Sequence, residues 1–366
     1  MFGTILSVIF TLLLTYIIWR LASVPLVARL ARRRVVLGVD LVLCAFFWIS
    51  RSFAHDAVGR LAIAADFVAM ILLATVFLVS VAVLAVDLFT AFGLLFRNRA
   101  PSWRGWAVLA GLALSIIALV QGFRAPAVSN YTIRLRGLPP DLDGTVLVGV
   151  SDMHLGTLLG ARWLEDRLVQ VAALKPDLVV LLGDIYEGHG RPSPELLEPW
   201  RRLSPPFGVW FVPGNHEMHG GGAGIDGLLA ELGIHVLHEK WAQIRPGLIL
   251  AGVDDLGRHR PSEANENPIG RALAGRPEGA TVLLSHSPLM AEKAAGAGVG
   301  LMLSGHTHGG QIWPFGWLLR TRYPAVAGLV EVQGMPLIVG RGTGTWGPRM
   351  RLWHRGEILR ITLRAS

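Results

Sequence analysis

The feature of this sequence that most limits how it can fold is the concentration of long apolar runs in its first third. The chain has 366 residues, 52% of them hydrophobic, and the apolar runs lie before residue 124. A run of roughly 18 or more apolar residues is long enough to cross a membrane as a helix. Three runs have this length: residues 2–19, 67–86 and 106–123. Residues 35–50 are shorter and contain Asp40, so they are the doubtful member of a transmembrane bundle of about four helices, predicted over residues 1–123.

The charges of this first third are also those of a membrane protein. Residues 1–130 contain eleven Arg, no Lys and no Glu and carry a net charge of +7, whereas residues 131–366 carry only +1. A basic chain can indicate nucleic-acid binding. Here the Arg residues lie between apolar runs, where membrane topology explains them, so no nucleic-acid partner is expected.

The distribution of Arg among the loops predicts the orientation, because short Arg-rich loops stay on the cytoplasmic side. With residues 35–50 counted as the second of four runs, the first and third loops together contain eight Arg. The second loop contains only Arg51 and Arg60. Four spans therefore predict a multi-pass protein of the cell (inner) membrane, with both termini and the C-terminal domain on the non-cytoplasmic side. If residues 35–50 do not cross, one Arg-rich loop must lie outside.

The pattern changes after a predicted linker at residues 124–144, which contains Gly and Pro. From residue 145 to residue 366, short apolar segments typical of strands alternate with helical patterns. Strands are predicted at residues 145–150, 178–182, 209–212, 248–253, 281–284, 300–303, 337–339 and 358–363, and an amphipathic helix is predicted over residues 162–174, between the first two. This alternation is typical of a layered α/β fold.

Five polar motifs each follow directly after a predicted strand. In order they are Asp-Met-His (152–154), Gly-Asp-Ile-Tyr-Glu (183–187), Gly-Asn-His-Glu (214–217), Ser-His-Ser-Pro (285–288) and Gly-His-Thr-His (305–308). Loops beyond the carboxyl ends of strands line the ligand crevice of open α/β sheets. Imidazoles and carboxylates gathered there suit Zn, Fe or Mn, and the only thiol, Cys44, lies in an apolar run. Within two of the motifs the side chains are spaced i, i+2, so an extended backbone would point them the same way.

With these motifs, residues 145–364 resemble the calcineurin-like metallophosphoesterase superfamily. The longer string Gly-His-Thr-His-Gly-Gly-Gln-Ile at 305–312, with Arg-Gly-Thr-Gly at 341–344 and Pro348-Arg349, is similar to its bacterial cell-envelope branch, whose members often carry an N-terminal membrane segment. The resemblance implies that residues 145–366 form two packed sheets flanked by helices. It also implies two divalent metal ions per chain, with Mn, Zn and Fe as candidates.

The resemblance assigns a role to each motif residue. The residues implied to hold the first ion are Asp152, His154 and His308. Those implied to hold the second are Asn215, His286 and His306. Asp184 is implied to bridge both ions, and a hydroxide between the ions would attack phosphorus. His216 is implied to act near the leaving group as a general acid or transition-state stabiliser, with Glu217 orienting it. Glu187 stands where the family often has Asp.

The function expected from these features is a membrane-anchored hydrolase of a phosphodiester or a lipid-linked phosphate of the cell envelope. One alternative is a pyrophosphatase of a nucleotide-linked lipid precursor. Another is a catalytically inactive membrane receptor or adaptor, which the intact ligand set disfavours. The expected partners are a phosphoester substrate, with a lipid as one candidate, and the bilayer; the sequence does not define the oligomeric state. The aromatic segment at residues 313–319 is compatible with core packing or with a lip that faces lipid.

Overall fold

The computed structural model describes residues 2–54, 59–156, 158–187, 193–219, 225–258 and 267–366. The chain divides into two compact units. The first comprises Met1–Phe123 together with Gly347–Trp353, and the second comprises Arg124–Trp346 together with His354–Ser366.

The first unit is helical. Its helices are α1 (Phe2–Leu21), α2 (Pro25–Leu30), α3 (Arg33–Ile49), α4 (Arg60–Phe89) and α5 (Ala100–Phe123). Among the described residues, four helical segments are long and apolar enough to cross a membrane: Gly3–Leu21, Arg34–Phe53, Arg60–Phe89 and Ala100–Phe123. The predicted bundle of about four apolar helices is therefore confirmed. The doubtful second run lies in a 20-residue segment because a π-helical turn extends α3, and a helix of that length rises ~30 Å.

Close packing between helices holds this unit together. Phe10 of α1 stacks on Phe47 of α3 with ring centroids 4.0 Å apart, and both rings are fully buried. A Cβ atom added at Gly111 of α5 would lie 2.7 Å from the Cα atom of Val79, so α4 and α5 approach each other closely at this point. Small residues permit such an approach between apolar helices.

Charged side chains are buried inside the helices as well. Asp66 and Asp87 border the apolar run at residues 67–86 in the sequence. Both lie within α4 because this helix is 30 residues long. The carboxylate of Asp87 is fully buried and accepts hydrogen bonds from Arg20 Nε (2.5 Å), Arg104 Nε (2.7 Å) and the hydroxyl of Tyr16 (2.6 Å). A buried charge requires such partners, so these contacts tie α1, α4 and α5 together.

The segment Gly347–Trp353 belongs to the helical unit although the sequence predicted it as part of the C-terminal domain. The guanidinium of Arg349 lies 4.0 Å from the ring centroid of Phe123, and the backbone N–H of Arg351 donates to the carbonyl of Ala118 at 2.9 Å. Motif and composition carry no signal for this packing, because it depends on tertiary contacts.

In the described part of the second unit, the strands form two six-stranded sheets. The order in the first sheet is β1 (Ala127–Leu135), β12 (Glu357–Ala365), β2 (Val146–Val150), β3 (Leu178–Leu182), β4 (Val209–Val212) and β5 (Ile234–Val236). The order in the second sheet is β10 (Gly328–Val332), β11 (Met335–Val339), β9 (Leu301–Ser304), β8 (Ala280–Leu284), β7 (Leu248–Gly252) and β6 (Lys240–Arg245).

The two sheets pack face to face around one apolar core. Leu147 and Leu178 from the first sheet and Leu250, Val282 and Ile338 from the second lie in a single buried cluster. Strands β2 to β5 are parallel, as are β7, β8, β9 and β11, and strands covered on both faces are typically continuous apolar runs.

Helices flank the two sheets. The helices in the described part of this unit are α6 (Ala161–Ala172), α7 (Pro194–Leu197), α8 (Asn215–His219), α9 (Ile225–Glu231), α10 (Pro268–Leu273), α11 (Ala291–Gly296) and α12 (Phe315–Leu319). Helix α6 buries Leu164, Leu168 and Val171 against the first sheet, as its apolar periodicity predicted. The layered α/β fold with two packed sheets and flanking helices is therefore confirmed.

The region predicted as a linker, residues 124–144, has regular structure over part of its length. It contains β1, which pairs in parallel with β12 from Ala127 opposite Glu357 to Leu135 opposite Ala365. Strand β1 is an edge strand with several exposed or half-buried positions, so its sequence lacks the apolar run that marks the central strands.

Candidate metal centre

The motif residues gather where neighbouring strands end. Asp152 and His154 follow β2, Asp184 follows β3, Asn215 and His216 begin α8 after β4, His286 follows β8, and His306 and His308 follow β9. Because β2, β3 and β4 are parallel neighbours, as are β8 and β9, their carboxyl ends place these side chains together. In the described residues they form three groups whose possible ligand atoms lie within 4.8 Å of one another: Asp152/His154/His308, His154/Asp184/His216 and Asp184/His286/His306.

The backbone that presents these side chains is not extended, contrary to the reason given for their i, i+2 spacing. The φ angles of Asp152, His154, His306 and His308 are 51°, 48°, 70° and 50°, in the left-handed region. This conformation costs a non-glycine residue roughly 1–2 kcal/mol. Strain of this kind typically collects at functional sites, where the fold enforces a particular side-chain direction.

Glycines in the motifs allow the ligand loops to approach one another. Gly183 has φ 78°, and a Cβ atom there would lie 2.6 Å from Nδ1 of His286. A Cβ atom at Gly305 would lie 2.5 Å from a carboxylate oxygen of Asp152. A side chain at either position would therefore push ligand-bearing loops apart.

The first ligand group consists of Asp152, His154 and His308, all nearly buried. Nε2 of His154 lies 3.1 Å from Nε2 of His308, which is 3.4 Å from Oδ1 of Asp152. If the two nitrogens shared a hydrogen bond, its proton would be covalently bound to only one of them. Two nitrogens that each lie ~2.1 Å from a shared ion are separated by about 3 Å, so the spacing fits a common metal ion.

The second group, Asp184, Asn215, His286 and His306, repeats this pattern. Nδ1 of His306 lies 3.0 Å from Nε2 of His286, which is 3.2 Å from Oδ1 of Asn215 and 3.2 Å from Oδ2 of Asp184. The same oxygen of Asp184 is 3.9 Å from Nε2 of His154, so this carboxylate faces both groups.

The second nitrogen of three imidazoles has its own partner. Nδ1–H of His286 donates to the carbonyl of Leu182 at 2.8 Å, and Nε2 of His306 is hydrogen-bonded to the hydroxyl of Tyr323 at 2.7 Å. Nδ1 of His154 is likewise hydrogen-bonded to the carboxylate of Glu187. Such bonds fix the tautomer and leave the facing nitrogen free to bind a metal. Tyr323 lies well beyond the last motif, and no sequence signal identifies it.

The electrostatics of the cluster also suit cations. Burial alone would raise the pKa of Asp184, but the imidazoles of His286, His154 and His216 hold the pKa of that carboxyl well below its usual range. Against the effect of burial, the Asp184 carboxylate raises the pKa of His286 well above its ordinary value. The carboxylate of Asp184 and the imidazole of His286 thus stabilise each other's charge, and a divalent ion can replace the proton on such an imidazole. The residues present therefore fit bound divalent metal ions.

His216 lies beside this cluster. Its backbone N–H donates to Oδ1 of Asp184 at 2.9 Å, and its Nδ1 is 3.1 Å from Oε2 of Glu187. The same Glu187 oxygen is 2.5 Å from Nδ1 of His154. Although burial favours the neutral carboxyl, these two imidazoles hold the pKa of Glu187 below its usual range. One carboxylate therefore orients both a ligand imidazole and the implied general acid.

The carboxylate beside Nδ1 of His216 is that of Glu187, whereas the orienting role of Glu217 stays a prediction. The buried carboxylate of Glu217 accepts four backbone hydrogen bonds, from the N–H groups of Gly214 (2.8 Å), Asp184 (2.9 Å), Ile185 (2.7 Å) and Tyr186 (3.1 Å). It thereby joins the loop after β3 to the loop after β4. Helix α8 turns neighbouring side chains in different directions, so adjacency to His216 in the sequence does not by itself place Glu217 beside its imidazole.

The aromatic segment after the last ligand is not part of the core. Trp313, Phe315, Trp317 and Leu318 are 38%, 42%, 63% and 61% exposed. The core-packing interpretation therefore does not hold for these four side chains.

Comparisons with known proteins agree with this architecture. The family model for the calcineurin-like phosphoesterase matches residues 146–310. A "Transmembrane protein with metallophosphoesterase domain" from Bos taurus is 32% identical over 292 residues, which cover 75% of this chain and 66% of that protein. Its namesake from Danio rerio is 34% identical over 274 residues, covering 71% and 62%. This chain thus spans slightly less than two thirds of the length of these vertebrate relatives.

A bacterial relative is matched over nearly its whole length. It is an "Uncharacterized metallophosphoesterase" from Aquifex aeolicus, 32% identical over 246 residues, which cover 65% of this chain and 92% of that protein. The family-model match, residues 146–310, includes the strand ends that carry the ligand groups. This chain therefore belongs to the calcineurin-like metallophosphoesterase family.

Proposed function

We propose that this protein is a membrane-anchored hydrolase that uses two divalent metal ions to cleave a phosphodiester or a lipid-linked phosphate of the cell envelope. The observation that most supports this function is the repeated arrangement of facing imidazole nitrogens, 3.1 Å apart in one group and 3.0 Å apart in the other. Each pair lies beside a buried carboxylate, and the family performs its chemistry with metals.

Each ligand group would hold one ion. Asp152, His154 and His308 form the first set, and Asn215, His286 and His306 form the second, with Asp184 shared. When bound, the two ions would lower the pKa of water toward neutrality and polarise the phosphoryl oxygens, which supplies a nucleophile and stabilises developing charge.

His216 would supply the proton to the leaving oxygen. Glu187 accepts the Nδ1–H of this imidazole and so directs Nε2 toward the ligand cluster, where it lies 4.0 Å from Oδ2 of Asp184. Burial lowers the pKa of His216 below its ordinary value, against the opposing effect of Asp184. A lower pKa makes the imidazolium of His216 a stronger acid, which transfers its proton more readily as negative charge develops on the ester oxygen.

Replacement of His216 tests this role. In the full chain, His216→Ala should retain both metal ions and lose about 10²–10⁴-fold in the rate of bis(p-nitrophenyl) phosphate hydrolysis, the usual contribution of a general acid. His235→Ala, at an exposed histidine of β5, is the matched control and should keep full activity. Loss of metal from the His216 variant would show that this residue is a ligand instead.

A substrate panel tests the proposed class of ester. Purified full-length protein loaded with Mn²⁺, Zn²⁺ or Fe²⁺ should hydrolyse model diesters or phospholipids. Cleavage of lipid diphosphates alone would replace this proposal with the pyrophosphatase function.

The proposed location is the inner membrane, with the catalytic domain outside the cytoplasm. Arg20 and Arg104 are buried against Asp87, but Arg29, Arg97 and Arg99 remain exposed in the two segments expected inside. A reporter that is active only outside the cytoplasm should work when fused after Ser366 and be silent when fused near Arg99. The reverse pattern would place the catalytic domain in the cytoplasm.

A further inference from the structure

An exposed apolar surface lies next to the metal centre. It is formed by Trp313 and by Phe315, Trp317 and Leu318 of α12, here called the apolar ledge. These side chains are between 38% and 63% exposed, and the rings of Trp313 and Trp317 contact each other edge to face with centroids 5.5 Å apart. A contiguous apolar patch exposed on a protein surface usually marks a site that binds a protein, a membrane or a ligand.

The ledge is structurally continuous with the ligand loops. At one end, a Cβ atom added to Gly316 would lie only 3.5 Å from the carbonyl oxygen of Gly309, the residue after ligand His308. At the other end, the Tyr323 hydroxyl binds ligand His306. A molecule whose apolar part rests on the ledge would therefore have its polar part beside the metal centre.

The rim of the ledge is basic. Arg320 and Arg322 follow α12 directly and are exposed, and residues 309–330 contain no Asp or Glu. Basic side chains near an anionic membrane surface are attracted to its headgroups. Tryptophan is enriched at the boundary between headgroups and acyl chains. Charge and side-chain type therefore favour a lipid surface as the occupant over a neutral protein surface.

We propose that the apolar ledge inserts into the acyl-chain boundary of a bilayer containing anionic lipid, with Arg320 and Arg322 at the level of the headgroups. The chain's own apolar helices keep a bilayer at high effective concentration, so a surface of this modest size suffices. Docking brings the metal centre to phosphoesters at the membrane surface. Membrane docking of the ledge is a property separate from the proposed hydrolysis, because insertion can be measured without turnover.

The test uses an environment-sensitive fluorophore at Leu318. Full-length protein carrying Cys44→Ser and Leu318→Cys is labelled with nitrobenzoxadiazole and reconstituted into vesicles of phosphatidylcholine and phosphatidylglycerol. The matched control carries the label through Val169→Cys, at an apolar residue of α6 that is 71% exposed. The label at 318 should show blue-shifted emission and quenching by lipids with spin labels on their acyl chains, and the label at 169 should show neither.

Lipid composition and ledge variants sharpen the test. In vesicles of phosphatidylcholine alone, the docking equilibrium should weaken by about thirtyfold if both basic side chains contribute. Trp313→Gln with Trp317→Gln should abolish the shift of the label at 318, while hydrolysis of bis(p-nitrophenyl) phosphate stays unchanged. That unchanged rate separates failure of the ledge from failure of the proposed hydrolase function.

Two results would overturn the proposal. One is a label at 318 that behaves like the label at 169 in both kinds of vesicle. The other is a shift that appears in detergent without lipid and grows with protein concentration, which would identify a second copy of the chain as the occupant.

Discussion

Both units bury charged side chains, but they balance the charge in different ways. In the helical unit, each carboxylate oxygen of Asp87 faces a guanidinium, Oδ2 that of Arg20 at 2.5 Å and Oδ1 that of Arg104 at 2.7 Å. In the metal centre, the buried carboxylates of Asp152 and Asp184 face imidazoles whose nitrogens also face one another. In the first set the three hydrogen-bond donors to the carboxylate all come from the protein. In the second set the facing nitrogens would be matched by bound cations, so we assign the first set to structure and the second to chemistry.

Replacement of the shared carboxylate should have the largest effect. Asp184→Asn removes the negative charge that faces both ligand groups, so we expect lower metal content and a loss of about 10³-fold or more in hydrolysis of bis(p-nitrophenyl) phosphate. Asp226→Asn, at a carboxylate remote from the ligands, is the control. If the Asp184 variant kept two ions and full activity, the assignment of the metal-centre carboxylates to chemistry and of Asp87 to structure would be wrong.

The corresponding change in the helical unit should affect stability rather than catalysis. Asp87→Asn leaves the guanidiniums of Arg20 and Arg104 without a counter-charge, and breaking a buried ion pair in this way costs about 3–5 kcal/mol. We expect a lower thermal unfolding temperature in detergent, with metal content per folded molecule unchanged. Asp40→Asn, at a carboxylate bonded to the exposed hydroxyl of Thr15, should be nearly neutral. Metal loss in the Asp87 variant would contradict a purely structural role.

The two glutamates of the metal centre should respond differently to removal of their charge. Glu187→Gln should keep the metals but reduce turnover by about 10–100-fold, because this carboxylate orients His154 and His216. Glu217→Gln should lower metal content and stability, because its carboxylate holds four backbone N–H groups of the ligand loops. Metal analysis together with kcat distinguishes the two roles. The opposite pattern would support the predicted role of Glu217 in orienting the imidazole of His216.

A third charged set, complete within the protein, should give the smallest effect. Hydrogen bonding to Asp254, with help from Asp226, raises the pKa of His238 to about 9. Because this pKa is higher in the folded state, the stabilisation is full below the unfolded pKa of about 6.5 and disappears as pH rises through about 9. The side chain is 41% exposed, so solvent screening limits the gain to about 1 kcal/mol.

His238→Gln should therefore lower the unfolding temperature near pH ~6 and leave it unchanged near pH ~10. His235→Gln, at an exposed histidine of β5, is the control for loss of a surface imidazole. A constant difference across this range would show that packing, and not charge, accounts for the effect.

The sequence predicted the centre of the fold better than its edges. The central strands β2, β3, β4 and β8 are apolar runs because they are covered on both faces. The strands that were missed, β1, β5, β6 and β10, are the four edges of the two described sheets. Edge strands carry polar side chains on open faces, so their sequences, such as Lys240–Arg245, lack the apolar signal.

The metal centre shows the same division between local and tertiary information. Residue types and their order after strands predicted which side chains would meet. They did not predict the left-handed backbone at Asp152 and His154, nor the partner of His216, because these depend on how separate loops pack. Likewise Tyr323 reaches His306 only through the path of the chain around α12.

Metal content measured on the purified full-length chain tests the central claim most directly. After removal of metals and reconstitution with Mn²⁺, Zn²⁺ or Fe²⁺, the wild-type protein should contain two ions per chain by elemental mass spectrometry. His154→Ala and His286→Ala should each retain fewer, and Asp87→Asn should retain two. Absence of bound metal in the wild type, or two ions retained when His154 and His286 are both replaced, would contradict the assignment of the buried imidazoles and carboxylates as a metal centre.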